Sequence, residues 1–180
     1  MAVDAFLQFA DTGAAGITLQ GETRDDAMAK KSPVPFEIQE WKFAVTNTPN
    51  IGSATGGAGA GKAKFEPFVV KKTVDTASPF CFLTCCAGGH FKTVNLFVRK
   101  AGGTAQQSGQ VYLEFNFKLV AVSNIAWSHG DVPTEDITFE YGALKFQYSP
   151  QTSTGSMGTP ITTQWDQITN TADFDAGFGA

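Results

Sequence analysis

The 180-residue sequence has no surplus of basic charge: 13 Lys and Arg stand against 17 Asp and Glu, a net charge of -4 at pH 7. Such a chain builds no global positive field to gather nucleic acid or anionic lipid, so nucleic acid is not an expected partner. It also lacks any uninterrupted apolar run of the roughly 18 residues that a transmembrane helix needs, and no membrane insertion is expected. No basic n-region or long apolar h-region opens Met1-Ala2-Val3-Asp4-Ala5-Phe6, which implies no cleavable export signal and synthesis ending in the cytoplasm. Cysteine is scarce and crowded: Cys81, Cys85 and Cys86 fall in one stretch, unlike the dispersed even sets of disulfide-stapled secreted domains. They read as reduced thiols. What remains, 42% hydrophobic and 17% charged, suits a single soluble domain over 1–180, large enough to bury a core without disulfide or metal staples.

The dominant pattern is period-two alternation, the mark of strands with one buried face. From Val111 to Leu119, the residues Val111, Leu113, Phe115, Phe117 and Leu119 share one side while Tyr112, Glu114, Asn116 and Lys118 take the other. Between Lys92 and Arg99, Val94, Leu96 and Val98 face the core, and Phe97 falls on the outer side, where an exposed Phe marks an interface. Three further strands change phase midway: Phe36 and Ile38 give way to Trp41, Phe43 and Val45; Ile137, Phe139 and Tyr141 give way across Gly142 to Leu144, Phe146 and Tyr148; Leu119 gives way to Val120 and Val122. A phase flip implies a bulge or corner, because otherwise the apolar set would turn to solvent. Bent strands of this kind build barrels and orthogonally packed sheets.

One short helix is expected, about Pro79 to Ala87, with Ser78 as N-cap, Pro79 in the first turn and Gly88-Gly89 as the left-handed stop. Thr48 to Gly61, rich in Gly, Ala and small polar residues, and Gln151 to Gly158 carry no core pattern and read as surface loops. A loop as long as 48–62 inside a domain is uncommon and is often functional.

Candidate chemistry is sparse. Gly56 to Lys62 formally contains Gly-x-x-x-x-Gly-Lys, but Ala63 stands where a phosphate-binding loop needs Ser or Thr, and Lys64 to Val70 looks like a strand rather than the required helix. A flexible glycine loop is the simpler reading. Cys81 and Cys85 lie one helical turn apart, yet neither they nor Cys86 form a recognisable metal spacing with His90 or His129, so they read as buried small apolar residues. Those two histidines sit in no catalytic motif. Asp25-Asp26 and Glu135-Asp136 pair carboxylates in sequence only, as turns and strand starts commonly do. No enzyme activity, cofactor or metal is expected.

A series of segments, in order over nearly the whole chain, resembles the haemolysin-coregulated proteins, the Hcp family of type VI secretion tube subunits. It runs from Met1-Ala2-Val3-Asp4-Ala5-Phe6-Leu7 through Gly59-Ala60-Gly61-Lys62, Asp75-Thr76-Ala77-Ser78-Pro79 and Gly89-His90-Phe91 to Val98-Arg99-Lys100-Ala101-Gly102-Gly103. Thr134 to Phe139, Phe146 to Gln151, and Trp165-Asp166 followed by Asn170 complete it, while the Cys-rich helix and Asp173 to Ala180 depart from the pattern. The resemblance implies a mainly β fold: a compact barrel of two packed sheets with one short flanking helix, a long extended loop and a C-terminal tail over 151–180. It also implies homohexameric rings that stack into a hollow tube, working with a spike trimer, a baseplate and a contractile sheath and carrying effector proteins in the lumen. Such a protein is cytoplasmic before firing and is then secreted, or delivered into a target cell, without a signal peptide. Within that reading the loop residues Thr48, Pro49, Asn50, Ile51, Gly52, Gly56, Gly57, Gly59, Gly61 and Lys62 form the ring-stacking segment, and Phe97 is an inter-subunit anchor. The alternatives are a tail-tube subunit of a phage-like contractile injection particle, or a monomeric β-barrel whose mouth binds a small ligand.

Overall fold

The computed structural model describes residues 3–13, 16–48, 62–100, 109–153 and 156–177. Within them the chain forms β1 (Val3–Phe9), β2 (Phe36–Ile38), β3 (Glu40–Lys42), β4 (Val45–Thr46), β5 (Lys64–Phe65) and β6 (Phe68–Thr73). After these come the helix α1 (Ser78–Ala87), then β7 (His90–Lys100), β8 (Val111–Ser128), β9 (Thr134–Tyr148) and β10 (Ile161–Asp166). The fold is mainly β, as expected. Its main sheet runs β2-β1-β7-β8-β9-β6-β3, all antiparallel, with β10 added to β9, and β4 and β5 form a separate ribbon.

The expected phase changes are the corners of a barrel. Between Ile38 and Trp41 the chain leaves β1 and joins β6, with Gln39 donating its N–H to the Lys71 carbonyl at 2.7 Å, so the two ends of the sheet are one continuous segment and the sheet closes. β8 and β9 invert together at one register point, where Leu119 takes φ 51° opposite Gly142. Before it Phe117 and Leu144 are buried, after it Val120 and Tyr141. A second shift in β8, between Val122 and Asn124, returns Ile125 to the core side. Gly142 has no room for a side chain: a Cβ there would lie 2.9 Å from Ile168 Cδ1 and 3.2 Å from Ala176 Cβ. Chain from the far C-terminal end therefore seals the point of inversion.

Phenylalanine fills the barrel. Phe9, Phe36, Phe68, Phe91, Phe117 and Phe139 are almost completely buried, with Phe68 and Phe117 centroids 4.7 Å apart and Phe9 meeting Phe91 edge-on at 4.6 Å. Burial of each such side chain contributes about 2–3 kcal/mol before the entropy of ordering it. α1 packs on β8 through Cys81 and Thr84, and Gly88 ends it at φ 65°, the left-handed stop that the sequence indicates.

Three expectations need correction. Ser78 is the first helical residue, not the N-cap, because its hydroxyl is drawn away from the helix end to donate to Glu135 Oε1 at 2.7 Å. The tail holds a strand, β10, which reads poorly in sequence because Ile161, Thr162 and Thr163 are all exposed and show no alternation. Phe97 is not exposed. Residues 22–33 fold over it, and it is buried with Phe6 and Met28 in a second small core, the Lys31 ammonium 4.3 Å above its ring. The ring-stacking residues Pro49, Asn50, Ile51, Gly52, Gly56, Gly57, Gly59 and Gly61 lie outside the described residues; Thr48 and Lys62, both exposed, bound that segment as the connection of the β4–β5 ribbon. Of the expected loop Gln151 to Gly158, the described residues lie outside the named strands, with the Gly158 N–H bonded to the Pro150 carbonyl at 2.7 Å.

Candidate interaction surface

An apolar groove opens where the core runs beyond its cover. Phe115, paired with Phe146, and Leu144, paired with Trp165, carry the inner face of the sheet past the closed barrel and onto β10. Facing them are Phe43 and Phe65, the latter held on the β4–β5 ribbon. Phe115 stacks on Phe146 at 4.9 Å and meets Phe43 edge-on at 5.1 Å. The space between the two walls is about 870 Å³, with Lys62 and Asn47 at the rim. Val45 on its lining is exposed, and so are Ile161, at 68%, and Tyr148 outside it. Among the described strands β10 pairs only with β9, so apart from the bridge of Asp166 to Thr171 its outer edge is unpaired there. Contiguous apolar surface beside a free strand edge is what a protein partner covers.

The side chains with titratable chemistry bolt separate segments to the barrel. Lys72 and Glu135 are both fully buried, 2.8 Å apart. Lys72 also donates to Asp75 Oδ1 at 2.6 Å and to Ser78 Oγ at 3.1 Å, while Glu135 Oε2 accepts the Trp127 indole N–H at 3.0 Å. This network joins β6, the start of α1, β8 and β9. Burial beside it pushes the Cys81 thiol up to about 12, so Cys81 is an inert core residue; Cys85 is half-buried and Cys86 exposed, the latter against expectation. On the other side of the barrel Arg99 forks onto Asp25, with Nη1 to Oδ1 at 2.9 Å, and reaches Asp4 at 3.3 Å. Its hydrogen bond holds the Asp25 carboxyl below the usual carboxylate value. Asp25 in turn accepts the Ala27 and Met28 N–H groups, which keeps the 22–33 cover closed on Phe97.

Neither Asp25 nor Glu135 therefore pairs with its sequence neighbour; each meets a cation contributed by a distant strand. Among the described residues no three His, Cys, Asp or Glu side chains converge as a metal site requires. Lys62 is followed by Ala63 and the strand β5, not by a helix that could face a phosphate. Phe97 to Ala is expected to cost about 3 kcal/mol, at the low end for a buried Phe because its core is small. Thermal melts of the variant check this, and loss of assembly without loss of stability would return Phe97 to an interface role.

The model of the family described as "Type VI secretion system effector, Hcp" matches residues 6–148. The chain belongs to the Hcp family. It is 28% identical over 170 residues to the protein hcp1 of Pseudomonas aeruginosa, covering 92% of this chain and 96% of that one. A solved type six secretion system protein superposes with a TM-score of 0.80 at 27% identity, covering 94% of this chain and 99% of its own. Hcp1 of Salmonella typhimurium gives 0.69 at 24% identity, covering 96% and 100%. This Hcp is a type VI secretion tube protein by family.

Several residues of the motifs that carry the Hcp resemblance are fastenings. Asp75 and Ser78 belong to the buried Lys72 network, and Arg99 clamps the 22–33 cover. Trp165, Asp166 and Asn170 build the end of β10 and the turn after it, in which Asn170 adopts φ 58°, a conformation that Asn tolerates better than most residues. Sequence reading missed the role of residues 22–33; the signal was Asp25 two and three residues ahead of Ala27 and Met28, an N-cap spacing before an apolar residue.

Proposed function

We infer that this Hcp assembles into six-subunit rings that stack into the hollow tube of a type VI secretion apparatus, with a structural rather than a catalytic role. The observation that carries the reading is the groove at β10: in a chain of this family, an apolar groove walled by core aromatics opens beside a largely unpaired strand edge, and a second copy is the partner always at hand. Glu135 and Asp25, the carboxylates that the sequence places in adjacent acidic pairs, are instead each held against a buried cation, which supports a structural role for them. Within the tube, the segment from Thr48 to Lys62 on the β4–β5 ribbon is the stacking contact, and the lumen carries effector proteins. Sheath, baseplate and spike trimer are the other partners, and the protein leaves the cell through the apparatus itself.

Size-exclusion chromatography with light scattering tests this. The expected mass is six times the 19.1 kDa of the chain, with rings visible by negative-stain microscopy. A species that stays at 19.1 kDa at high micromolar concentration overturns the reading and favours the monomeric ligand-binding barrel.

A further inference from the structure

The helix α1 breaks the rule for a surface helix. Its sequence, Ser-Pro-Phe-Cys-Phe-Leu-Thr-Cys-Cys-Ala, has no charged residue, and only Ser78, Cys81 and Thr84 are buried. The outward side carries Phe80, Phe82 and Leu83, each about half accessible (48%, 50% and 48%), where a monomer would place Lys and Glu. The patch does not stop at the helix. The Phe82 ring lies 6.0 Å from that of Trp127, which is 55% accessible, and Val132 in the β8–β9 turn is 57% accessible. Trp127 is held in this pose by its N–H bond to buried Glu135.

We propose that this patch, centred on Phe82, Leu83 and Trp127, fills the β10 groove of a second copy, giving a head-to-tail contact that repeats around the ring. The proposal rests on the self-assembly reading above and names its two surfaces. They are complementary in kind: one is an outward-facing apolar patch on a charge-free helix, here the knob, the other a groove walled by Phe43, Phe65, Phe115 and Phe146. They are also complementary in charge. Lys62 is the one charged residue among those lining the groove, and Asp131 is exposed in the same β8–β9 turn as Val132. They sit at opposite ends of the same two strands, Phe115 near the start of β8 and Trp127 near its end, roughly 40 Å apart along the strand at about 3.3 Å per residue. One copy therefore cannot join its own knob to its own groove, and two copies joined once still present one free knob and one free groove. That is the arrangement from which a heterologous contact closes a ring.

Two variants and their mixture provide the test. Phe82→Glu spoils the knob and Thr163→Arg spoils the groove, both at exposed positions, with circular dichroism to confirm that each remains folded. Light scattering is expected to show rings for the unaltered chain and monomers for each variant alone. An equimolar mixture is expected to give pairs of twice the chain mass and nothing larger, since only one sound knob and one sound groove can meet. Pair formation also proves both variants competent. If the unaltered chain forms rings but either variant does so equally well, or if the mixture yields no pair, the knob-in-groove contact is wrong while ring assembly stands. If the unaltered chain is monomeric, ring assembly itself fails and takes this contact with it.

Discussion

Replacing Glu135 by Ala is expected to destabilise the fold by about 3–5 kcal/mol, the cost of stranding one partner of a buried ion pair. Lys72 would then be left fully buried with Asp75, itself partly solvated, as its remaining anion. For a chain of this length each kcal/mol corresponds to about 2–4 °C in the melting temperature, so the loss should be plain in a thermal melt. Loss of the carboxylate also frees the Trp127 indole and the Ser78 hydroxyl, loosening α1 from β8 and β9. The double replacement Lys72→Met with Glu135→Leu is expected to recover most of the lost stability, because a packed apolar pair carries no desolvation penalty. A double variant as unstable as the single one would show that Glu135 matters through its hydrogen bonds to Ser78 and Trp127 rather than by balancing the Lys72 charge. A single variant with an unchanged melt would show that the pair is not a fastening at all.

The parts of this fold that depend on neighbours in sequence were legible there. Alternation located β2, β3, β7, β8 and β9, and each change of phase marked a real corner: the closure at Gln39 and the joint inversion at Leu119 and Gly142. What alternation cannot express is a cover laid down by a distant segment. Phe97 counts as outward on β7, and it is outward; residues 22–33, secured by Arg99 and Asp25, then bury it. The same limit applied to α1, whose apolar residues suggested burial although its outward face has nothing over it among the described residues. The groove was illegible for a related reason. Phe115 and Phe146 look like core residues, and by alternation they are, but whether a core face has a lid depends on how far β10 extends beyond the β4–β5 ribbon. β10 escaped notice because a strand with Thr162, Thr163 and Gln164 at its centre needs no apolar alternation when one face borders open space.

Asp166→Asn is expected to cost about 2–4 kcal/mol at neutral pH, because the carboxylate is the acceptor for three backbone N–H groups that have few alternatives. Asp166 is fully buried, and it receives Ile168 N–H at 2.8 Å, Thr169 N–H at 3.1 Å and Ala176 N–H at 2.8 Å. Those bonds form the turn after β10 and bring Ala176 back over Gly142, the point at which β8 and β9 invert. An Asn presents a single oxygen and would aim its own N–H₂ at one of the donors. Burial acts to raise the Asp166 pKa, yet the N–H bonds from Thr169, Ala176 and Ile168 outweigh it, and the folded value lies below the ordinary 3.8. A carboxylate whose pKa is depressed by folding contributes stability that is complete above about pH 4 and drains away as pH falls through the folded value. The gap between the unaltered chain and the Asn variant should therefore be widest at neutral pH and narrow as the solution is made more acid than pH 4, followed by urea unfolding across the range. A gap that stays constant with pH would mean that the charge on Asp166 is irrelevant and only its shape is used. Since Trp165 before this turn and Asn170 within it line the groove, the same variant should weaken the knob-in-groove contact, coupling the fastening of the tail to assembly.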